Sequence, residues 1–304
     1  TLSIHSFPTR RSSDLMIYPN DGFDPLLTLR VVAEERATAL YGVPTMFIAM
    51  LDHPQLKAFD LSSLRTGIMA GATCPIEVMR KVISEMHMKE VQIAYGMTET
   101  SPVSLQTGPE DGIELRVTTV GLTQPQLENK IIDETGCVVP RGQIGELCTR
   151  GYSVMLGYWN NPQGTAEALD QAGWMHTGDL ASMDDNGYVC IAGRNKDMII
   201  RGGENVYPRE LEEFFFTHPA VADVQVIGIP DTRYGEEIVA WIKLHPGHVV
   251  SALELQGWCK DRIAHYKTPR HFKFVDEFPM TVTGKVQKFR MREISVEELL
   301  KAVE

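Results

Sequence analysis

Residues 66–100 read TGIMAGATCPIEVMRKVISEMHMKEVQIAYGMTET. Thr66–Ala70 is a short apolar run bounded by turn formers, the pattern of a strand. Gly71-Ala72-Thr73 turns the chain into a helix predicted from Pro75 to about Met86, proline being suited to a helix start. Val91–Ala94 reads as a second strand, ending in a glycine turn at Gly96. Strand, crossover helix, strand predicts a parallel α/β sheet. Ligands of such sheets bind at the carboxyl ends of the strands, where Gly71 and Gly96 sit.

The pattern continues on the N-terminal side, with a helix over Pro25–Ala37, a strand at Thr38–Tyr41 and a helix starting at Pro44. Met46, Phe47, Met50 and Met69 either pack the core or line an apolar pocket, for which adaptable methionine is suited. Residues 1–15, TLSIHSFPTRRSSDL, lack the apolar segment of a signal peptide and any sustained period. They are read as extraneous or unstructured.

After about Thr118 short strands dominate, at Glu128–Asp133, Glu146–Arg150 and Tyr188–Ala192, suggesting a small antiparallel or barrel-like subdomain. From Met198 an α+β pattern begins. The helix from Pro208 places Leu211, Phe214 and Phe215 on one face. Strands at Asp223–Ile229 and Ile238–Leu244, a helix over Ala252–Ala264 and a strand at His271–Val275 follow. The expected division is a larger part over 16–193, a short polar link at 194–197 and a smaller domain over 198–304.

The formal charge of −11, without a Lys/Arg-rich stretch, argues against nucleic-acid binding. No apolar run approaches the roughly 18 residues of a membrane span. Cys74, Cys137, Cys148, Cys190 and Cys259 are scattered, with no C-x-x-C pair. That suits reduced thiols in an intracellular, cytoplasmic setting.

Four segments carry candidate chemistry. In Y-G-M-T-E-T (95–100) the tyrosine ring can pack on a base, threonine can donate to a phosphate and glutamate can hold Mg2+; a polar strand–helix turn reads the same way. In H-T-G-D-L (176–180) Asp179 either forms a turn or accepts from ribose hydroxyls. G-R-N-K-D (193–197) with R-G-G-E-N-V-Y-P (201–208) is either a solvated connector or a place where two glycines permit a tight backbone approach. In T-G-K (283–285) Lys285 is a surface charge or a catalyst, and the spacing is not that of a P-loop.

Taken in order, with G-E-L-C-T-R-G (145–151) between the first two, these segments resemble the motif series of the adenylate-forming superfamily. That group includes acyl-CoA synthetases, firefly-type luciferases and peptide-synthetase adenylation domains. The resemblance spans residue 17 to about residue 290. Y-G-V-P-T-M-F (41–47), M-L-G-Y-W (155–159) and D-M-I-I-R-G-G-E-N-V-Y-P-R-E-L-E (197–212) make the chain most similar to medium-chain fatty acyl-CoA synthetases.

The resemblance implies the C-terminal part of a large α/β adenylate-forming domain, a parallel sheet plus a small β-barrel-like subdomain, followed by a small mobile α+β domain. It implies an ATP-dependent ligase that forms an acyl-adenylate and passes the acyl group to coenzyme A. Tyr95 would pack on adenine, Gly71 and Ala72 would line its pocket, and Thr98 would touch the α-phosphate. Glu99 would bind Mg2+. Asp179 would hold the ribose, with Arg194 donating beside it. Lys285 would offset charge during adenylation. Lys196 would be the hinge about which the small domain turns, bringing Gly202 and Gly203 to the pantetheine arm of coenzyme A. The cofactor set is ATP/AMP, Mg2+ and coenzyme A, and the implied partner is an apolar carboxylic acid of medium chain length. The family's phosphate loop lies upstream of the matching region, so the chain is expected to start partway through the large domain and, by itself, to adenylate poorly or not at all. An aryl-acid ligase and a non-catalytic nucleotide-binding fragment are the alternatives.

Overall fold

A computed structural model describes residues 4–5, 15–72, 74–281 and 286–301. Strand β1 (Ile4–His5) pairs antiparallel with β2 (Met16–Ile17), so two residues of the segment read as unstructured join a short ladder. Helix α1 (Pro25–Glu34) starts where Asp24 Oδ1 accepts from the Leu27 N–H at 2.7 Å and Pro25 fills the first position.

Next come β3 (Ala39–Gly42), α2 (Pro44–Leu51), β4 (Thr66–Ala70), α3 (Ile76–Glu85), β5 (Glu90–Tyr95), β6 (Leu105–Gln106), α4 (Ile113–Thr118) and β7 (Leu122–Thr123). They form a five-stranded sheet in the order β3-β4-β5-β6-β7. Its first three strands are parallel, as the 66–100 stretch predicts, and the last two are antiparallel. Phe47, Met50 and Met69 are wholly buried in the core with Met79 and Val82 of α3, and Met46 packs against them. The core reading of these residues therefore holds. A Cβ at Gly96 would lie 1.7 Å from the Pro102 carbonyl oxygen, so only glycine lets the chain fold back beside the end of β5.

A second sheet is built from β8 (Leu127–Ile132), β9 (Gly145–Gly151), β10 (Met175–Met183) and β11 (Val189–Arg194), with α5 (Pro162–Ala168) between β9 and β10. The order is β11-β10-β9-β8, antiparallel throughout. This corrects the barrel-like expectation: β8 and β11 stay at opposite edges. Four strands are too few to close a barrel around a packed interior.

The third sheet follows a 3₁₀ turn at Asn195–Asp197. It contains β12 (Ile199–Arg201), β13 (Glu204–Val206), α6 (Pro208–Phe216), β14 (Val221–Asp231), β15 (Gly235–Leu244), α7 (Ala252–Cys259) and β16 (His271–Phe274), and α8 (Lys288–Lys301) follows. The strand order is β13-β12-β15-β14, with β16 parallel to β15. Leu211 and Phe215 of α6 bury against Val224, Val226, Ile238 and Ala240. Truncating Phe215 to alanine there costs about 3–5 kcal/mol. Met291 of α8 covers the opposite face, and Trp241 Nε1 donates to Ser295 Oγ at 2.9 Å. Helix α7 is a turn shorter than predicted, because Lys260 is extended and Asp261 adopts φ +61°.

Candidate active site

Tyr95 is the last residue of β5, and Gly71 and Ala72 follow β4 directly, with Ala70 paired to Ala94. All three therefore lie at the carboxyl edge of two adjacent parallel strands. The Tyr95 hydroxyl donates to Asp179 Oδ2 at 2.5 Å, joining this edge to the second sheet. Arg194 Nε is 3.4 Å from Asp179 Oδ1, and the two residues are cross-strand partners on β10 and β11. Tyr95, Asp179 and Arg194 thus converge from three strands of two sheets.

The Asp179 side chain is 15% exposed and that of Arg194 58%. Burial pushes the Asp179 carboxyl above the usual carboxylate range, against the Tyr95 hydrogen bond and the Arg194 charge, which lower it. Burial and the neighbouring carboxylate raise Tyr95 well above an ordinary phenol, so it remains a donor. A carboxylate has about four lone-pair positions. Asp179 therefore keeps acceptor capacity for a vicinal diol while both present partners stay bound.

Asp179 is presented by a break in strand pairing, since the β9–β10 register shifts between His176 and Leu180. Side chains satisfy the backbone freed there. Gly178, at φ +69°, donates its N–H to Glu146 Oε1 at 3.1 Å. Asp179 N–H donates to Thr177 Oγ1 at 3.1 Å, and Thr177 Oγ1 donates to the Leu147 carbonyl at 2.7 Å. Glu146 Oε2 lies 2.8 Å from His176 Nδ1. Sequence reasoning gave Glu146 and His176 no role, although both stand in quoted motifs.

Thr98 is exposed on a 3₁₀ turn, Thr98–Thr100, beside half-buried Glu99. One Glu99 carboxylate oxygen accepts from the Tyr158 hydroxyl at 2.9 Å, and its carbonyl accepts from Met155 N–H at 2.8 Å. Tyr158, within M-L-G-Y-W, is a third residue without a prior assignment. Glu99 has a second carboxylate oxygen, a hard donor of the kind that holds Mg2+ together with phosphate oxygens.

Gly202 and Gly203 form the two-residue turn between β12 and β13, at φ +63° and +89°. Paired positive angles are those of a tight hairpin turn, and Gly202 N–H also bonds the Tyr234 carbonyl at 2.8 Å. This turn belongs to the third sheet and makes no described contact with Asp179. Exposed Lys196 sits in the 3₁₀ turn two residues after Arg194; Arg292 Nη2 is 3.1 Å from Asp197 Oδ1 and 3.4 Å from the Lys196 carbonyl oxygen. Lys285 lies outside the described residues. No helix among the described residues is long and apolar enough to cross a membrane.

The AMP-binding enzyme family matches residues 4–159, and the AMP-binding enzyme C-terminal domain matches residues 210–285. The chain is 55% identical over 280 residues to a putative acyl-CoA synthetase, YngI, of Bacillus subtilis, covering 92% of this chain and 51% of that protein. It is 48% identical over 285 residues to the mitochondrial medium-chain acyl-CoA ligase ACSF2 of Danio rerio, covering 93% and 47%. Among solved structures, the anthranilate CoA ligase AuaEII in complex with anthranoyl-AMP superposes with a TM-score of 0.85 at 30% identity, covering 93% of this chain and 54% of that one. The chain spans about half the length of the curated relatives it matches. A family match over half the sequence, relatives of about 50% identity and this likeness of fold agree: the chain belongs to the AMP-binding enzyme family.

Proposed function

We propose that this protein takes part in ATP-dependent ligation of a carboxylic acid to coenzyme A, by way of an acyl-adenylate. The observation that carries this reading is the meeting of Tyr95, Asp179 and Arg194 at the carboxyl edge of the parallel sheet. Asp179 accepts from the ribose hydroxyls, and its Tyr95 and Arg194 contacts hold the carboxylate in place for them. The Tyr95 ring and the Gly71–Ala72 backbone border the adenine, and Thr98 meets the α-phosphate. Glu99, oriented by Tyr158, would hold Mg2+, which supplies charge neutralisation along the triphosphate when bound.

In the first step the acid's carboxylate oxygen bonds to the α-phosphorus and pyrophosphate leaves. In the second the coenzyme A thiolate attacks the acyl carbon and AMP leaves. Lys285 offsets the meeting of two anions in the first step. Rotation at Lys196 then exchanges it for the Gly202–Gly203 turn. That role divides the chain into a larger part over 16–193, a hinge at 194–197 and a small domain over 198–304. The medium-chain ligases among its relatives support a medium-chain fatty acid as the substrate. An intracellular, cytoplasmic setting is part of this reading, resting on five scattered cysteines without a C-x-x-C pair.

Calorimetry with AMP, followed by coupled AMP-release assays with ATP, Mg2+ and coenzyme A on octanoate and benzoate, tests the reading. AMP binding that Asp179→Ala abolishes is expected of this chain, and turnover on octanoate is expected of the chain joined to the phosphate-loop segment that the family carries upstream. Turnover on benzoate alone replaces the fatty acid with an aryl acid. AMP binding untouched by Asp179→Ala overturns the site.

A further inference from the structure

The bulge that presents Asp179 carries a second constellation on its other side. Glu146, Cys148 and His176 each offer a ligand atom, and these atoms lie within 4.8 Å of one another. Their placement follows from strand geometry. His176 and Cys148 are directly paired across β10 and β9, and Glu146, two residues before Cys148, shares its face of the sheet.

Both partners approach the same ring atom: Cys148 Sγ is 3.8 Å and Glu146 Oε2 2.8 Å from His176 Nδ1. A nucleophilic relay needs the thiol and the carboxylate on different ring nitrogens, so this is not a cysteine–histidine–glutamate triad. Burial also pushes the Cys148 thiol up to about 12, unlike an activated nucleophile.

We propose that Glu146, Cys148 and His176 form a binding site for a soft divalent cation such as Zn2+, with a fourth coordination position open to water. Tetrahedral bonds of about 2.0–2.3 Å separate ligand atoms by roughly 3.3–3.8 Å. The Cys148–His176 distance already fits, and the Glu146–His176 pair opens by roughly half an ångström as the cation replaces the shared proton. Thiolate and imidazole select Zn2+ or Co2+ over Mg2+ and Ca2+. His176 and Glu146 are 31% and 24% exposed, so a cation enters beside them and meets the buried sulfur at the floor. On binding, the Cys148 proton passes to solvent, a sulfur–metal bond forms and no redox change occurs. Lys130, the cross-strand partner of Cys148 on β8, carries its ammonium 4.3 Å from the Trp174 ring centroid, and its charge favours the Cys148 thiolate that a cation needs. Occupancy would pin β9 to β10 three residues before Asp179. This inference does not depend on the proposed ligase activity.

Titration of the chelator-treated full chain with Co2+ tests it, by the near-ultraviolet thiolate-to-cobalt charge-transfer band. One equivalent should develop the band, Zn2+ should displace it, and excess Mg2+ should not. Cys148→Ser should abolish it and His176→Gln should weaken binding by about tenfold or more. A Cys137→Ser/Cys190→Ser variant, which removes the exposed thiols, should keep it. No band in the parent, a band that survives Cys148→Ser, or one lost with the exposed thiols overturns the site. Should Cys148→Ser fail to fold, unchanged affinity in His176→Gln overturns it equally.

Discussion

Arg201→Leu should destabilise the third sheet more than any surface change, because of what it leaves behind. Arg201 Nη2 donates to Glu237 Oε2 at 2.9 Å, and Nε lies 2.6 Å from Glu237 Oε1 as an ion pair without hydrogen-bond alignment. Nη1 donates to the Tyr266 carbonyl at 2.8 Å, and the guanidinium lies 4.9 Å from the Tyr234 ring centroid. The side chains are 12% and 1% exposed, so water cannot stand in for the lost partner. Without Arg201, the Glu237 carboxylate keeps only the Ile238 N–H, at 2.9 Å. Removing one member of such a pair costs about 3–5 kcal/mol, whereas replacing both by apolar residues is often neutral. At an m-value of about 3 kcal/mol/M in urea, Arg201→Leu should lower the unfolding midpoint by roughly 1–1.7 M. Circular dichroism in urea reads this directly, with Arg201→Leu/Glu237→Leu as the control that should recover most of the loss. A single variant costing under about 1 kcal/mol, the range of an exposed pair, would refute the reasoning. So would a double variant worse than the single.

Three further outcomes follow from the proposed nucleotide site. The folded-state pKa of Asp179 is raised by burial, so its contribution to stability is fullest below the ordinary carboxylate range and is lost as pH rises through its raised value. Asp179→Asn should therefore gain on the parent in urea midpoint across that window, and a gap independent of pH would count against burial as the dominant cause. Tyr95→Phe should move Asp179 further upward and remove a hydrogen bond to a charged group, worth about 1.5–3 kcal/mol. Lys285→Ala should slow acyl-adenylate formation by roughly 100- to 1,000-fold, as loss of a placed electrostatic group does. It should spare thioester formation from supplied adenylate; equal losses in both half-reactions would remove its assigned role.

The parallel strands were legible because proline, glycine and branched residues mark β4, α3 and β5 locally. Local signals also placed α6 and its buried Leu211 and Phe215. The site was legible only as ordered motifs. Nothing in the separation of Tyr95 from Asp179 shows that one hydroxyl joins them; that contact depends on how two sheets meet. The register shift at His176–Leu180 is similarly non-local, which is why Glu146 went unassigned although its motif was quoted. Tyr158 escaped for the same reason, since it reaches Glu99 across a loop. The fate of Met50 and Met69 was open because an apolar residue reads alike in a core and in a pocket. The barrel expectation failed because strand count and edge position are properties of the sheet rather than of any strand.

The hinge reading also has a physical basis in how the chain is partitioned. Two hydrophobic clusters are separate, one running to Ile191 and the other starting at Ile199, on either side of Lys196. Polar contacts join them. Arg209 donates to the Ile191 carbonyl at 2.8 Å, and Glu213 accepts from the Ile76 N–H at 3.2 Å. The second contact caps α3, whose start at Pro75 has no side-chain cap of its own. A cavity of about 350 Å³ lies between α2, α3 and the turn after α6, so the two surfaces do not interlock. Each hydrogen bond is worth about 0.5–1.5 kcal/mol net, or somewhat more where it carries charge. Breaking a few of them lies within the few kcal/mol that differential ligand affinity can supply. A shared apolar core would cost far more to separate. The fold therefore joins the residues proposed to bind nucleotide, in two sheets, to a third sheet held by contacts weak enough to exchange. Arg194 and Lys196 are two residues apart where these parts meet, so a turn there can change what faces the nucleotide while Tyr95 and Asp179 stay in place.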